Sequence, residues 1–226
     1  MKILILTFVC LLLVACNGTG SSEEKASSLP WQIETSESGQ TSVLGISPGQ
    51  IKLREFAQHF HELADVRLFE KPDGTLFLEA YLGKTRIGKF DARLVAELDA
   101  PEDLLQSVRL ANLNREPTPN NYWQYNLNDE QLLQALEARV WRFMYIPVAD
   151  YEERQIGFFG TPSAIVKEND TAEYRFYPEK GLVVLWDTAS KETFYYVAPK
   201  EFSRLKAALE ADKKPTTLGD KFGKNS

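Results

Sequence analysis

Past an apolar run at positions 3–14, hydrophobic positions along this chain alternate between short strand-like segments and short amphipathic ones. Trp31 to Thr35 and Thr41 to Ile46 read as strands around a Ser-Gly turn. Ser47-Pro48-Gly49-Gln50 supplies a capping serine, a proline at the first helical position and a glutamine three residues on. That spacing predicts a helix to about Leu63, with Ile51, Phe56, Phe60 and Leu63 sharing a face. Asp65 to Phe69 and Thr75 to Leu82 read as a hairpin around Lys71-Pro72-Asp73-Gly74, where proline presets one turn angle and glycine takes the positive one. A strand from Thr85 to about Leu98 and a helix from Pro101 to Leu110 follow.

Residues 112–121 hold two prolines and little apolar content, and read as a linker. Beyond it come a strand at Tyr122 to Leu127, a helix capped by Asn128 with Gln131 in the box position, and a strand from Ala138 to Ile146. A helix after Pro147 is expected to stop near Gly160-Thr161-Pro162, because glycine suits a helix end and proline prevents continuation. Strands at Thr171 to Tyr177, Leu182 to Asp187 and Thr193 to Val197 and a helix from Lys200 to Ala211 complete the pattern. The halves share a grammar: Pro48 precedes Phe60, and Pro147 precedes Phe159, by the same interval. Each helix then leads to an Arg-apolar-aromatic strand, at Arg67-Leu68-Phe69 and Arg175-Phe176-Tyr177. The fold class expected is α+β, with two tandem helix-plus-antiparallel-sheet units in two-layer packing, at 30–111 and 122–211.

The run at 3–14 is too short to span a bilayer and has the length of a secretory h-region behind Lys2. Leu13-Val14-Ala15-Cys16 resembles the lipobox of bacterial lipoproteins. The resemblance implies a signal peptide at 1–15, cleavage before a lipidated, triacylated Cys16, and a membrane anchor facing the periplasm. Asn17, where inner-membrane lipoproteins of this kind carry Asp, implies sorting to the periplasmic face of the outer membrane. Residues 16–29 are small or charged and read as a flexible tether, and residues 212–226 as a disordered tail.

Loss of Lys2 with the leader leaves 25 of the 26 basic residues against 32 acidic ones, a net charge of −7. That balance argues against a nucleic-acid partner, whose phosphates need basic stripes. By the lipobox resemblance Cys10 would leave with the leader and Cys16 would be acylated, which implies stability from a packed core with no disulfide.

Phe159-Gly160-Thr161-Pro162-Ser163, an aromatic strand with Tyr174 and Phe176, a glycine turn and the apolar strand from Gly181 to Trp186 together resemble the small periplasmic lipoprotein domain of the SmpA/OmlA (BamE) type. The β-lactamase-inhibitor-like proteins use a related unit in tandem. The match covers about 50 residues of the second half, and the family's initial glycine-containing helix signature is absent before Asp150. The resemblance implies a non-catalytic binding or assembly role at the outer membrane.

The chemical inventory is sparse. His59 and His61, the only histidines, stand about 200° apart around a helix and do not share a metal. No Gly-x-Ser-x-Gly elbow or phosphate-cradling loop occurs. Carboxylates are so plentiful that pairs such as Glu152-Glu153 or Glu97-Asp99 carry little weight, and Asp150, Glu152 and Glu153 read as a solvated helical face. No catalytic residue, metal or cofactor is assigned. From Tyr174 to Tyr196 there are seven aromatics, and alternation places bulky groups on both sheet faces. One face can pack under the preceding helix, and the other meets a second layer or a partner. The expected partner contacts are Tyr174, Trp186, Tyr195 and Tyr196, with Arg175 as a charged anchor. The function expected is a lipid-anchored accessory binding an envelope protein. The alternatives are a periplasmic inhibitor or small-ligand-binding module and, last, a cell-wall glycan hydrolase.

Overall fold

The structure, a computed structural model, describes residues 29–212. The expected signal peptide, Cys16, Asn17, the tether up to residue 28 and the tail from residue 213 lie outside the described residues.

Strands β1 (Ile33–Thr35) and β2 (Thr41–Val43) form a small antiparallel hairpin. The helix predicted from Ser47 begins later, as α1 (Leu53–His59). The main chain of residues 49–53 is taken up by a distant segment: Gly49 and Leu53 donate to the carbonyls of Val140 and Ala138, and Val140 donates to Ile51. With the Gly49 amide donating to Val140 and Gly49 taking φ of 78°, the Ser47-Pro48-Gly49 segment forms a turn, in which Ser47 accepts from the Gln50 amide. The cap falls to Lys52, whose amide donates to Oε2 of Glu55 at 3.0 Å.

β3 (Asp65–Glu70) and β4 (Leu76–Ile87) form the expected hairpin, but β4 runs on to Ile87 and β5 (Phe90–Asp99) starts only after a tight Gly88-Lys89 turn. Gly88 takes φ of 60° there, which is what a two-residue turn between twisted strands needs. Then come α2 (Glu102–Ala111), the two-residue β6 (Glu116–Pro117), β7 (Trp123–Asn126) and α3 (Asp129–Glu137). Asn128 caps α3 reciprocally with Gln131, at 2.9 and 3.0 Å. After β8 (Arg139–Pro147), the expected long helix is reduced to α4 (Glu153–Ile156) and one 3-10 turn, ending at Gly160. β9 (Ala164–Lys167), β10 (Ala172–Tyr177), β11 (Leu182–Asp187), β12 (Thr193–Val197) and α5 (Phe202–Asp212) follow.

The expectation of an α+β fold in two tandem two-layer units is overturned. The protein is mostly β, built on one ten-stranded antiparallel sheet in the order β6-β7-β3-β4-β5-β8-β12-β11-β10-β9. β7, expected to open a second unit, pairs with β3, and β8 joins β5 on one side to β12 on the other. β8 can sit at the centre because its residues are apolar on one face and its main chain has no proline before Pro147. Local hairpin signals do not report such pairing between distant strands.

Strand alternation divides the packing. Leu182, Val184, Phe194 and Tyr196 belong to the main core with Phe143, Tyr145, Leu94, Leu78 and Leu68, covered by α1, α2, α3 and the 150–159 segment. Val183, Val197, Tyr174 and Phe176 point the other way and pack under Leu205 and Leu209 of α5. The second half of the sheet is therefore covered on both sides, giving three layers where two were expected. A register shift between Glu97 and Leu98 lets Trp141 join the α5 side, where the Arg204 guanidinium lies 3.9 Å from its ring centroid.

Candidate functional site

The five residues expected to form one partner surface are separated by the fold. Tyr174 is covered by α5 and 9% exposed, while Tyr195 is half-buried at the margin of the same cluster. Tyr196 is 1% exposed on the opposite side; its hydroxyl donates to the Pro30 carbonyl, and burial pushes its phenol far above the ordinary range. These aromatics build two cores because the sheet has a helical layer on each face here. Only Arg175 and Trp186 remain together near the surface. The Arg175 guanidinium is 5.6 Å from the Trp186 ring centroid, held by Glu173 at 2.7 Å and Glu153 at 3.6 Å.

Trp186 forms one wall of a cleft of about 590 Å³. The rest comes from two loops far apart in sequence. Asp187 ends β11 and turns the chain, its Oδ1 accepting from the Ala189 amide at 2.9 Å, and Lys191 and Glu192 lead into β12. Opposite, the chain leaving β8 carries Asp150 and Tyr151. The Tyr151 ring is anchored among Trp31, Phe90 and Phe194, and its hydroxyl lies 3.2 Å from that of Tyr145. The anchored ring fixes the loop, so the Asp150 side chain meets Lys191 in an ion pair and the Tyr151 amide donates to Oε1 of Glu192 at 3.3 Å.

Glu192 is 3% exposed, and its Oε2 has no hydrogen-bond partner among the described residues. Burial pushes its carboxyl above the usual range, and the Asp150 carboxylate adds to the rise, against backbone amides that lower it. Desolvation penalises the charged form, so this is a carboxylate under electrostatic strain. Nothing in the linear sequence marks it: the partners of Lys191 and Glu192 lie 41 positions away.

A second feature also escapes the sequence pattern. β9 is a sheet edge with all four residues exposed, Ile165 at 54% and Val166 at 42%. The opposite edge, β6, is two residues long and contains Pro117. Proline and a two-residue length protect β6, whereas β9 has four exposed residues, no proline and one charged side chain, Lys167.

His59 is taken up structurally, a ring nitrogen lying 2.8 Å from the Leu44 carbonyl, and His61 lies past the helix end with φ of 56°. Among the described residues no group of three His, Cys, Asp or Glu side chains could hold a metal ion. No described helix is long and apolar enough to cross a membrane. Glu152 caps α4 through its amide and Gln155, and Glu97 is paired with Arg142 across the sheet. Compared with known protein families, curated proteins and solved structures, the chain matches none.

Proposed function

We propose that this chain is a lipid-anchored, periplasm-facing accessory of the outer membrane that binds an extended segment of an envelope protein and catalyses no reaction. The anchor rests on the lipobox-like Leu13-Val14-Ala15-Cys16, with Asn17 as the sorting residue. The binding role rests on one observation: the sheet is protected at β6 and open at β9. An open edge offers main-chain donors and acceptors to an added strand. Ile165 and Val166, on alternate faces, supply apolar contacts for its side chains.

A photo-crosslinking side chain in place of Lys167, in intact cells, tests the binding role. The expected result is one discrete adduct, lost when Ile165 and Val166 are both changed to lysine, with the melting temperature unchanged. An adduct that survives the double change, or none at all, removes strand addition from the reading. The anchor is tested separately: Cys16→Ser moves the chain from the membrane to the soluble fraction, and retention in the membrane would contradict it.

A further inference from the structure

We propose that the surface formed by Trp31, Phe158, Val148 and the Gly88-Lys89 turn lies against the phospholipid headgroups of the membrane that carries the anchor. The inference rests on the lipid-anchored reading of Cys16 and is independent of strand addition at β9.

The path of the chain selects this face. The described chain begins at Leu29, thirteen residues after Cys16, so the fold stands at most about 45 Å from an acylated Cys16. Its point of entry is fixed, because Pro30 is buried and its carbonyl is held by the Tyr196 hydroxyl at 2.7 Å. The next residue, Trp31, packs its ring 5.1 Å from that of Phe158 and 6.0 Å from that of Phe90. Trp31 and Phe90 pack on the main core, across the sheet from α5. A tether entering there brings this face, and not the α5 face, towards the bilayer.

The side chains on this face suit a headgroup layer. Phe158 is 53% exposed although its neighbours Ile156 and Phe159 are buried. Val148, whose amide donates to the Asp91 carbonyl next to the hairpin turn, is 37% exposed. Aromatic rings beside cations are favoured at a membrane interface. Within residues 86–91 and 148–158, Asp91 is held by Lys84 and Arg86, Asp150 by Lys191 and Glu153 by Arg175. That leaves Lys89 and Arg154 positive against Glu152 alone in these segments, on a chain of net charge −6. Arg154 stands about one turn before Phe158, and Lys89 adjoins Phe90. An apolar contact flanked by unmatched cations is complementary to anionic phospholipid, and it adds a second membrane signal to the acyl chains.

The full lipidated chain carrying Gly157→Cys, labelled with nitrobenzoxadiazole and reconstituted into vesicles of phosphatidylcholine mixed with phosphatidylglycerol, tests this. A Cβ at Gly157 meets nothing within 4 Å, so the site accepts a side chain. The label is expected to shift its emission to the blue and to be quenched by lipids carrying a nitroxide near the headgroup. The same label at Lys206→Cys, on α5, does neither. Lys89→Ser with Arg154→Ser, which leaves the ring cluster intact, removes most of the quenching, and about 0.5 M salt does the same by screening. Flotation of the vesicles separates the two readings. A chain that does not float contradicts the anchor and this contact together. A floating chain with no quenching at 157, equal quenching at 206, or quenching that survives the double change overturns the contact alone. A photo-crosslinking side chain in place of Gly157 that captures a protein in intact cells, and no lipid, also overturns it and marks the face as a protein interface.

Discussion

The Tyr196 hydroxyl donates to the Pro30 carbonyl at 2.7 Å across 166 residues, tying the start of the described chain to a central strand. The ring stacks on Phe143 at a centroid distance of 4.9 Å. Tyr196→Phe keeps the stack and strands the carbonyl, at a cost of about 1–3 kcal/mol. Thermal denaturation should show a melting temperature lower by several degrees, and an unchanged one would mean that the bond contributes nothing.

Gly181 and Gly74 separate backbone strain from crowding. Both have positive φ, 61° and 87°, but a Cβ at Gly181 would lie 2.0 Å from the Val197 carbonyl oxygen, and at Gly74 it would meet nothing within 4 Å. Gly74→Ala should cost about 1 kcal/mol through the left-handed backbone alone. Gly181→Ala should cost about 3 kcal/mol or more, because strand β12 must also move. Equal losses in urea denaturation would contradict the close approach at Gly181.

Arg142 and Glu97 form an ion pair on adjacent strands, with side chains 6% and 12% exposed. Arg142→Met leaves a carboxylate unpaired in a region poor in water and should destabilise by about 3–5 kcal/mol. Adding Glu97→Leu should recover most of that loss, because two apolar neighbours need no counter-charge. If the double variant is as unstable as the single one, the pair acts through packing and not through charge.

Glu192 should make stability depend on pH in the direction opposite to that of an ion-paired carboxylate. Burial raises its folded-state pKa above the ordinary value of 4.5. The folded state therefore holds the proton more tightly. That contribution is complete below 4.5 and is lost as pH rises through the folded value. Glu192→Gln keeps an oxygen for the Tyr151 amide and never ionises. It should be more stable than the parent at pH 8, with the difference shrinking towards pH 4. A difference that does not vary with pH would contradict a strained carboxylate.

Within the described chain, the sequence by itself determined the local elements: the Lys71-Pro72-Asp73-Gly74 hairpin, the Asn128–Gln131 cap, and the strands around Gly181, each set by a turn or cap within a few residues. It failed where distant main chain competes with a local signal, as after Ser47-Pro48, where residues 138–140 bond the main chain of Gly49, Ile51 and Leu53. Tertiary structure alone decided that β7 pairs with β3, so one sheet replaces two units. It also decided that Tyr174 and Tyr196 lie in cores on opposite faces, and that Glu192 meets Tyr151. The reason is physical: caps and turns are closed by bonds between near neighbours, whereas strand order, burial and the strain on a carboxylate depend on groups that only the folded chain brings together.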